Sequence, residues 1–276
     1  MIASSGRIRR VLLTNDDGID APGLATLRQV AEEIADEVWV VAPDHDQSGS
    51  AQSLSLHAPL RVTERGDRTF SISGTPADCV VMALRHLMPS PPDLLLSGIN
   101  RGANLGVETV FSGTVGAAMT GLLLGVPSIA LSQAFSDRFA VRWPTARALA
   151  PDVIMKAVRG TWSGKVCLNI NFPDADPGEA GPCVVARQGA GLLNDVKVVS
   201  GTDPRNIGYH WLKLERLAEK DDDRSETEII RRGAISITPL AFDRTASESL
   251  DFATTRPSSS EVSQTIPVAC LSAHPE

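Results

Sequence analysis

The first forty-odd residues restrict the fold more than any other feature of the chain. Residues 10–14, RVLLT, form a short apolar run that stops at Asn15-Asp16-Asp17-Gly18. PGLATLRQVAEEIA follows, with Leu24, Leu27, Ala31 and Ile34 on one helical face and Pro22 suited to a first helical turn. EVWVVAP is then a second β-branched run, bounded by Pro43. Strand, amphipathic helix and strand make a β-α-β unit, which requires parallel strands and a right-handed crossover.

The alternation continues. Residues 54–73 alternate weakly and predict a hairpin or short strands. Thr75-Pro76-Ala77-Asp78 opens a helix to about Met88, with Thr75 as cap and Pro76 in the first position. DLLLSGI is a buried strand, TVGAAMTGLLLG a helix and PSIALS another strand. This pattern predicts an α/β, Rossmann-like, doubly wound and mostly parallel sheet. Beyond residue 160, KVCLNINFP and AISITPLAF are expected strands, and the charged run EKDDDRSETE between them reads as a solvated loop. The expected organisation is a Rossmann-like core over 1–160, then remaining core strands and an oligomerisation arm over 161–250. A flexible C-terminal tail over 251–276 is expected from its Ser/Thr/Pro-rich composition.

Composition excludes some functions. A net charge of −7 argues against a general nucleic-acid binder, so no duplex partner is expected. It leaves room for a nucleotide substrate, because a bound cation supplies local positive charge. Cys79, Cys167, Cys183 and Cys270 form no C-x-x-C pair and are expected to be buried free thiols. The start, MIASSGRIRR, lacks the apolar core of a signal peptide, and no apolar run is long enough to span a bilayer. A cytoplasmic location and no membrane partner are the expectation.

In an open parallel sheet, ligands bind outside the carboxyl ends of the strands. Three polar loops fall there: Asn15 to Gly18, Asp44 to Ser50, and Ser97 to Ser112. Asp16 and Asp17 would point apart on a regular strand, but Gly18 lets the chain turn so that both face one point. Two close carboxylates repel unless a proton or cation lies between them. Oxygen donors without His or Cys suit one hard divalent ion, Mg²⁺ or Mn²⁺. In the competing reading, Asp16 caps the turn and Asp17 is solvated. Ser48 and Asn100 offer neutral oxygens to complete a metal shell, although each also fits an ordinary loop position. Ser112-Gly113-Thr114 precedes a helix rich in small residues, which makes either a phosphate cradle or a plain cap. Asn104 offers a further donor.

Five blocks together resemble a known family. LLTNDDGIDAPGL, VAPDHDQSGSAQSLSL, GTPADCV, LLLSGINRGANLG and VFSGTVGAAMTGLLLGVPSIALS are similar, in order, to survival protein E, the SurE-type 5′/3′-nucleotidases. They cover about residues 11–132, and LNINFP and ISITPL extend the likeness more loosely. The resemblance implies phosphomonoester hydrolysis of nucleoside 5′- and 3′-monophosphates, with polyphosphate trimming in some members. It puts one divalent metal on Asp16, Asp17, Ser48 and Asn100, and the substrate phosphate near Asn104, Ser112, Gly113 and Thr114. The catalytic set expected is Asp16, Asp17 and Asn104, with a metal-activated water as nucleophile. The resemblance also implies a homodimer or tetramer with exchanged C-terminal segments. One departure follows ITPL: Asp243 matches the family's Asp, but Ser247 stands where a His is usual. Asp46-Gln47-Ser48 also replaces a commonly basic stretch.

Rival readings fit less well. An aspartyl-phosphate enzyme needs alternating rather than adjacent aspartates. A phosphate-receiving switch needs an acceptor Asp at the end of a later central strand, where this chain has Ser97 and Asn100. A weakened, nucleotide-binding family member has only Ser247 in its favour.

Overall fold

The computed structural model describes residues 3, 6–160, 164–217 and 220–245. Among them, nine strands form one sheet: β1 (Ile8–Thr14), β2 (Ala35–Pro43), β3 (Val62–Gly66), β4 (Thr69–Ile72), β5 (Leu94–Arg101), β6 (Ser128–Gln133), β7 (Val166–Phe172), β8 (Cys183–Val185) and β11 (Ile235–Ala241). Their spatial order is β3-β4-β2-β1-β5-β6-β7-β11-β8. Neighbours are parallel except at β3–β4 and β7–β11. The helices are α1 (Pro22–Ile34), α2 (Pro76–Met82), α3 (Gly113–Leu123), α4 (Trp143–Arg159) and α5 (Glu226–Arg231). The doubly wound, mostly parallel α/β architecture expected from the alternating pattern is the one found.

The central strands are continuous apolar runs because the sheet is covered on both faces. Successive residues of a strand then enter opposite layers. Val11 and Leu13, Leu94 and Leu96, and Ile129 and Leu131 pack with Leu24, Leu27, Ala31 and Ile34 of α1 and with Ala146 and Ile154 of α4. Leu12 and Leu95 enter the other layer, against Cys79 and Val80 of α2 and Ala117 of α3. Each fully buried leucine contributes about 2 kcal/mol of transfer free energy. A one-residue slip of any central strand would therefore exchange two packed layers.

Thr75 caps α2 through a reciprocal pair: Asp78 N–H donates to Thr75 Oγ1 at 3.1 Å, and Thr75 N–H donates to Asp78 Oδ2 at 2.9 Å. The helix widens into a π-type turn over Ala83–Leu87 before stopping at Met88. Several elements were not anticipated. α4 carries Pro144 in its first turn and Pro151 inside, and buries mainly small residues, so its apolar period is faint. β9 (Leu193–Thr202) and β10 (Gly208–Arg216) pair antiparallel in a separate, largely exposed hairpin. α5 begins inside the acidic run expected to be solvated, its first three residues being the end of that run. Ser225, Glu226, Thr227 and Glu228 are buried there, so the second half of that run belongs to the interior. Ser225 Oγ accepts from Glu228 N–H at 3.2 Å and starts the helix.

The thiol expectation needs one correction. Cys79 and Cys167 are buried, but Cys183 is exposed, because it sits on β8, the last strand at one sheet edge. Cys270 lies outside the described residues. Burial pushes the Cys167 thiol up to about 12 and the Cys79 thiol well above its ordinary value. The Cys183 thiol is raised too, by partial burial, yet it is the accessible one. Brief alkylation of the folded protein followed by peptide mapping is expected to modify Cys183 and spare Cys79 and Cys167. Early modification of Cys79 would contradict this packing. Among the described residues, no helix is long and apolar enough to cross a membrane.

Candidate active site

The sheet changes direction between β1 and β5. From β1 the chain winds outward through β2, returns across the sheet by α2, and winds the other way through β5, β6 and β7. Such a switch point leaves a crevice at the carboxyl ends of its two central strands. Thr14 is in register with Ser97, so the turns that follow emerge side by side.

Hydrogen bonds join the loops there. Asp17 Oδ2 accepts from Arg101 N–H at 3.1 Å. The Asp16 carbonyl accepts from Gln47 N–H at 2.7 Å. Thr114 Oγ1 donates to Asp16 Oδ1 at 2.5 Å. Four segments far apart in sequence thus meet at the acidic pair. Gly18 makes the turn with φ +101°, and Asn15 Nδ2 closes it onto the Gly18 carbonyl at 2.8 Å.

The pair is electrostatically loaded. Burial raises the Asp16 carboxyl, offset in part by the Thr114 hydroxyl and by backbone N–H groups. Burial, followed by the charge of Asp16, pushes Asp17 up to about 6. Asp46 pushes both in the same direction. Each carboxylate therefore favours a proton or a cation close by. The buried oxygens around them point the same way: Asn15 Oδ1, Ser50 Oγ and Ser97 Oγ have no hydrogen-bond partner. Among the described residues, no three His, Cys, Asp or Glu side chains are grouped to hold a metal. A hard ion here would thus rest on two carboxylates and neutral oxygens, a donor set that suits Mg²⁺ or Mn²⁺.

Asp16, Ser48, Asn100, Asn104 and Ser112 line one cleft of about 730 Å³. Asp17 opens onto an adjoining cleft of about 670 Å³ with His45 and Trp143, and Arg101 lines both. Asn100 Nδ2 donates to the Gly102 carbonyl at 2.8 Å, so its oxygen is the end left to accept. Ser48 N–H donates to Asp46 Oδ1 at 2.8 Å. Ser112 Oγ accepts from Val115 N–H at 3.1 Å, so the cap reading of this serine holds in the structure. Gly113 packs directly against Asp16. Thr114 differs from expectation: it is fully buried and its hydroxyl is donated to Asp16 rather than to the cleft. A buried hydroxyl takes the acceptor within reach, and that acceptor is the carboxylate.

Asn104 is held on every side. Its N–H donates to Asn171 Oδ1 at 2.9 Å and its Nδ2 to Ser132 Oγ at 2.9 Å. Its carbonyl accepts from Asn169 Nδ2 at 2.8 Å and Asn171 Nδ2 at 3.2 Å. Asn169 and Asn171 were not singled out from sequence. Alternate positions on a strand share a face, and the two asparagines within LNINFP were the available signal. Arg101 was also missed; its signal was its position directly after Asn100. Asp243 begins a second compact unit, of which residues 243–245 are described. Its carboxylate accepts from Thr245 N–H at 2.9 Å, and the Thr245 side chain, then this N–H, lowers its pKa. Ser247 and the tail over 251–276 lie outside the described residues.

Fold and site together define a doubly wound α/β protein with an acidic ligand site at its switch point. The family model described as "Survival protein SurE" matches residues 11–195, and the chain belongs to that family. The chain is 60% identical over 242 residues to "5'-nucleotidase SurE 1" of Burkholderia lata, covering 87% of this chain and 93% of the relative. It is 47% identical over 248 residues to "5'-nucleotidase SurE" of Parvibaculum lavamentivorans, covering 89% and 90%. The crystal structure of a SurE protein from Aquifex aeolicus aligns with a TM-score of 0.76 at 33% identity, covering 88% of this chain and 98% of that one.

Proposed function

We propose that this protein is a metal-dependent nucleotide phosphomonoesterase that converts nucleoside 5′-monophosphates to nucleoside and phosphate. The observation that carries this reading is the adjacent acidic pair, Asp16 buried and Asp17 half-buried, each favouring a proton or cation, beside the start of α3 and the Asn104 loop. The names of the relatives support the substrate class. Asp16, Asp17, Ser48 and Asn100 would hold one divalent ion, Mg²⁺ or Mn²⁺. When bound, that ion supplies Lewis-acid polarisation of a phosphate oxygen and lowers the pKa of water.

The chain's own groups do the rest by position. Phosphate-monoester hydrolysis is among the slowest uncatalysed reactions, and orientation and charge neutralisation are the main levers on it. Asn104 Nδ2, the Ser112 hydroxyl and the Gly113 N–H hold phosphate oxygens. The Thr114 hydroxyl acts one step back, fixing Asp16. Asp17 is the more accessible carboxylate, and its Oδ1 takes the proton from the attacking water. The new bond joins water oxygen to phosphorus, the ester P–O bond breaks, and the nucleoside oxygen takes a proton from solvent while Asp17 returns its own to solvent. The same site extends to nucleoside 3′-monophosphates and polyphosphate ends.

A homodimer or tetramer exchanging C-terminal segments within a cytoplasmic setting completes the reading, with residues 161–250 supplying an oligomerisation arm beside the remaining core strands. Exposed Val198, Trp211 and Leu212 on the β9–β10 hairpin support an association surface.

The test is a panel of 5′- and 3′-mononucleotides, short polyphosphate and p-nitrophenyl phosphate with Mg²⁺ and with Mn²⁺. Phosphate release from 5′-mononucleotides is expected, lost with chelator and restored by either ion. No release with any divalent ion would end this reading.

A further inference from the structure

Glu226 is fully buried, although it comes from the acidic run that reads as solvent-facing. A buried carboxylate is costly unless hydrogen bonds satisfy it. Its partners are neutral donors: the Gly106 N–H, Thr238 Oγ1 at 2.6 Å, and Asn169 Nδ2 at 3.5 Å. Gly106 is not a remote loop residue. It begins the tight turn Gly106–Val110, which runs from Asn104 on one side to Ser112 on the other. Both polar groups of Gly106 are held from the second half of the chain. Its N–H goes to Glu226, and its carbonyl accepts from Gln188 Nε2 at 2.9 Å. Asn169 also donates to the Asn104 carbonyl, so one amide group spans Glu226 and the Asn104 backbone.

We propose that Glu226 is a positioning residue for phosphate-ester hydrolysis: by gripping Gly106 and Asn169, its carboxylate sets where Asn104 and Ser112 stand in the reactive cleft. The proposal rests on the reading of Asn104 and Ser112 as phosphate contacts. Glu226 hydrogen-bonds to neither Asp16 nor Asp17, whose partners are Thr114 and Arg101, so it acts on the phosphate end of the site rather than on the ion-holding end. A charge-assisted acceptor is stronger than a neutral one and fixes the turn more tightly. Displacing catalytic groups by about 1 Å costs roughly 100-fold in rate.

Three variants test this: Glu226→Ala, Glu226→Gln and Gln188→Ala. Glu226→Ala is expected to lower kcat on a 5′-mononucleotide roughly 100-fold, to weaken inhibition by inorganic phosphate, and to leave Mn²⁺ affinity unchanged. Glu226→Gln keeps an oxygen for the Gly106 N–H and is expected to recover most of the loss. Gln188→Ala frees the same turn from its carbonyl side and lowers kcat in the same direction. Amide hydrogen exchange read by mass spectrometry is expected to quicken in peptides spanning residues 104–112 of Glu226→Ala. A folded Glu226→Ala with wild-type kcat and unchanged exchange over that span would overturn the proposal. If Glu226→Ala fails to fold, a fully active Gln188→Ala overturns it instead. Asn104→Ala, run beside these, separates the two claims. Full activity in Asn104→Ala defeats the phosphate-contact reading, whereas the exchange result still decides whether Glu226 holds the loop.

Discussion

Asp17→Ala is expected to abolish phosphate release while making the ion-free protein more stable near neutral pH. The two signs follow from one cause. Burial, then the neighbouring charge of Asp16, raises Asp17 from 3.8 to about 6 in the folded chain. A carboxyl whose folded pKa is raised binds more protons folded than unfolded. Its stabilising contribution is therefore complete below 3.8 and is lost as pH climbs through about 6. Above that window an ionised Asp17 destabilises the chelated protein by about 1–2 kcal/mol, after allowance for its residual exposure. Alanine removes that term. Chelated wild type should thus melt lower at pH 8 than at pH 5 relative to Asp17→Ala at the same two values. Divalent ions compete with the proton, so ion affinity should rise across the same window. Turnover should fall on the order of 1,000-fold or more, since an ion ligand and the proton acceptor are lost together. Paired thermal melts with chelator and kcat with Mn²⁺ give both readings. Retained turnover in the variant would remove Asp17 from the chemistry.

Gly113→Ala is the second change with a large expected effect, and general propensity predicts the opposite sign. In a helix, alanine is normally favoured over glycine by about 1 kcal/mol. Here an added Cβ would lie 2.7 Å from Asp16 Cβ, 2.9 Å from Asp16 Oδ2 and 3.0 Å from Ser50 Oγ. Asp16 has little room to retreat, being buried and tied to Thr114. Overpacking of this kind costs roughly 1–3 kcal/mol, so the clash outweighs the propensity gain. The carboxylate that does move leaves its working position, and turnover should drop on the order of 100-fold. Gly164→Ala is the control, because nothing lies within 4 Å of a Cβ at that position. It should match wild type in melting temperature and rate. A fully active Gly113→Ala would show that the placement of Asp16 does not matter to the reaction.

The readable part of the fold was the part with strong local periodicity. VLL, LLL and IAL stand out because a two-sided sheet needs apolar side chains at successive positions, and the α1 stripe stands out because it faces only one layer. α4 stayed hidden because alanines and two prolines give little amphipathic contrast. α5 stayed hidden because its buried acids are satisfied by partners that charge patterning does not register, among them Gly106 and Thr238. The exposed β9–β10 hairpin has no buried face to impose an alternation.

On its own, the order of residues determined which loops end up at the carboxyl edge of the sheet, because strand direction follows from the β-α-β rule. It therefore put Asp16, Asp17, Ser48, Asn100, Asn104 and Ser112 within one neighbourhood. What the tertiary structure alone decided is what each polar atom does there. Thr114 turns to Asp16 across 98 positions, Asn171 to Asn104 across 67, and Glu226 to Gly106 across 120. Desolvation and hydrogen-bond choice depend on distances between such remote groups, and no local stretch of chain encodes those distances.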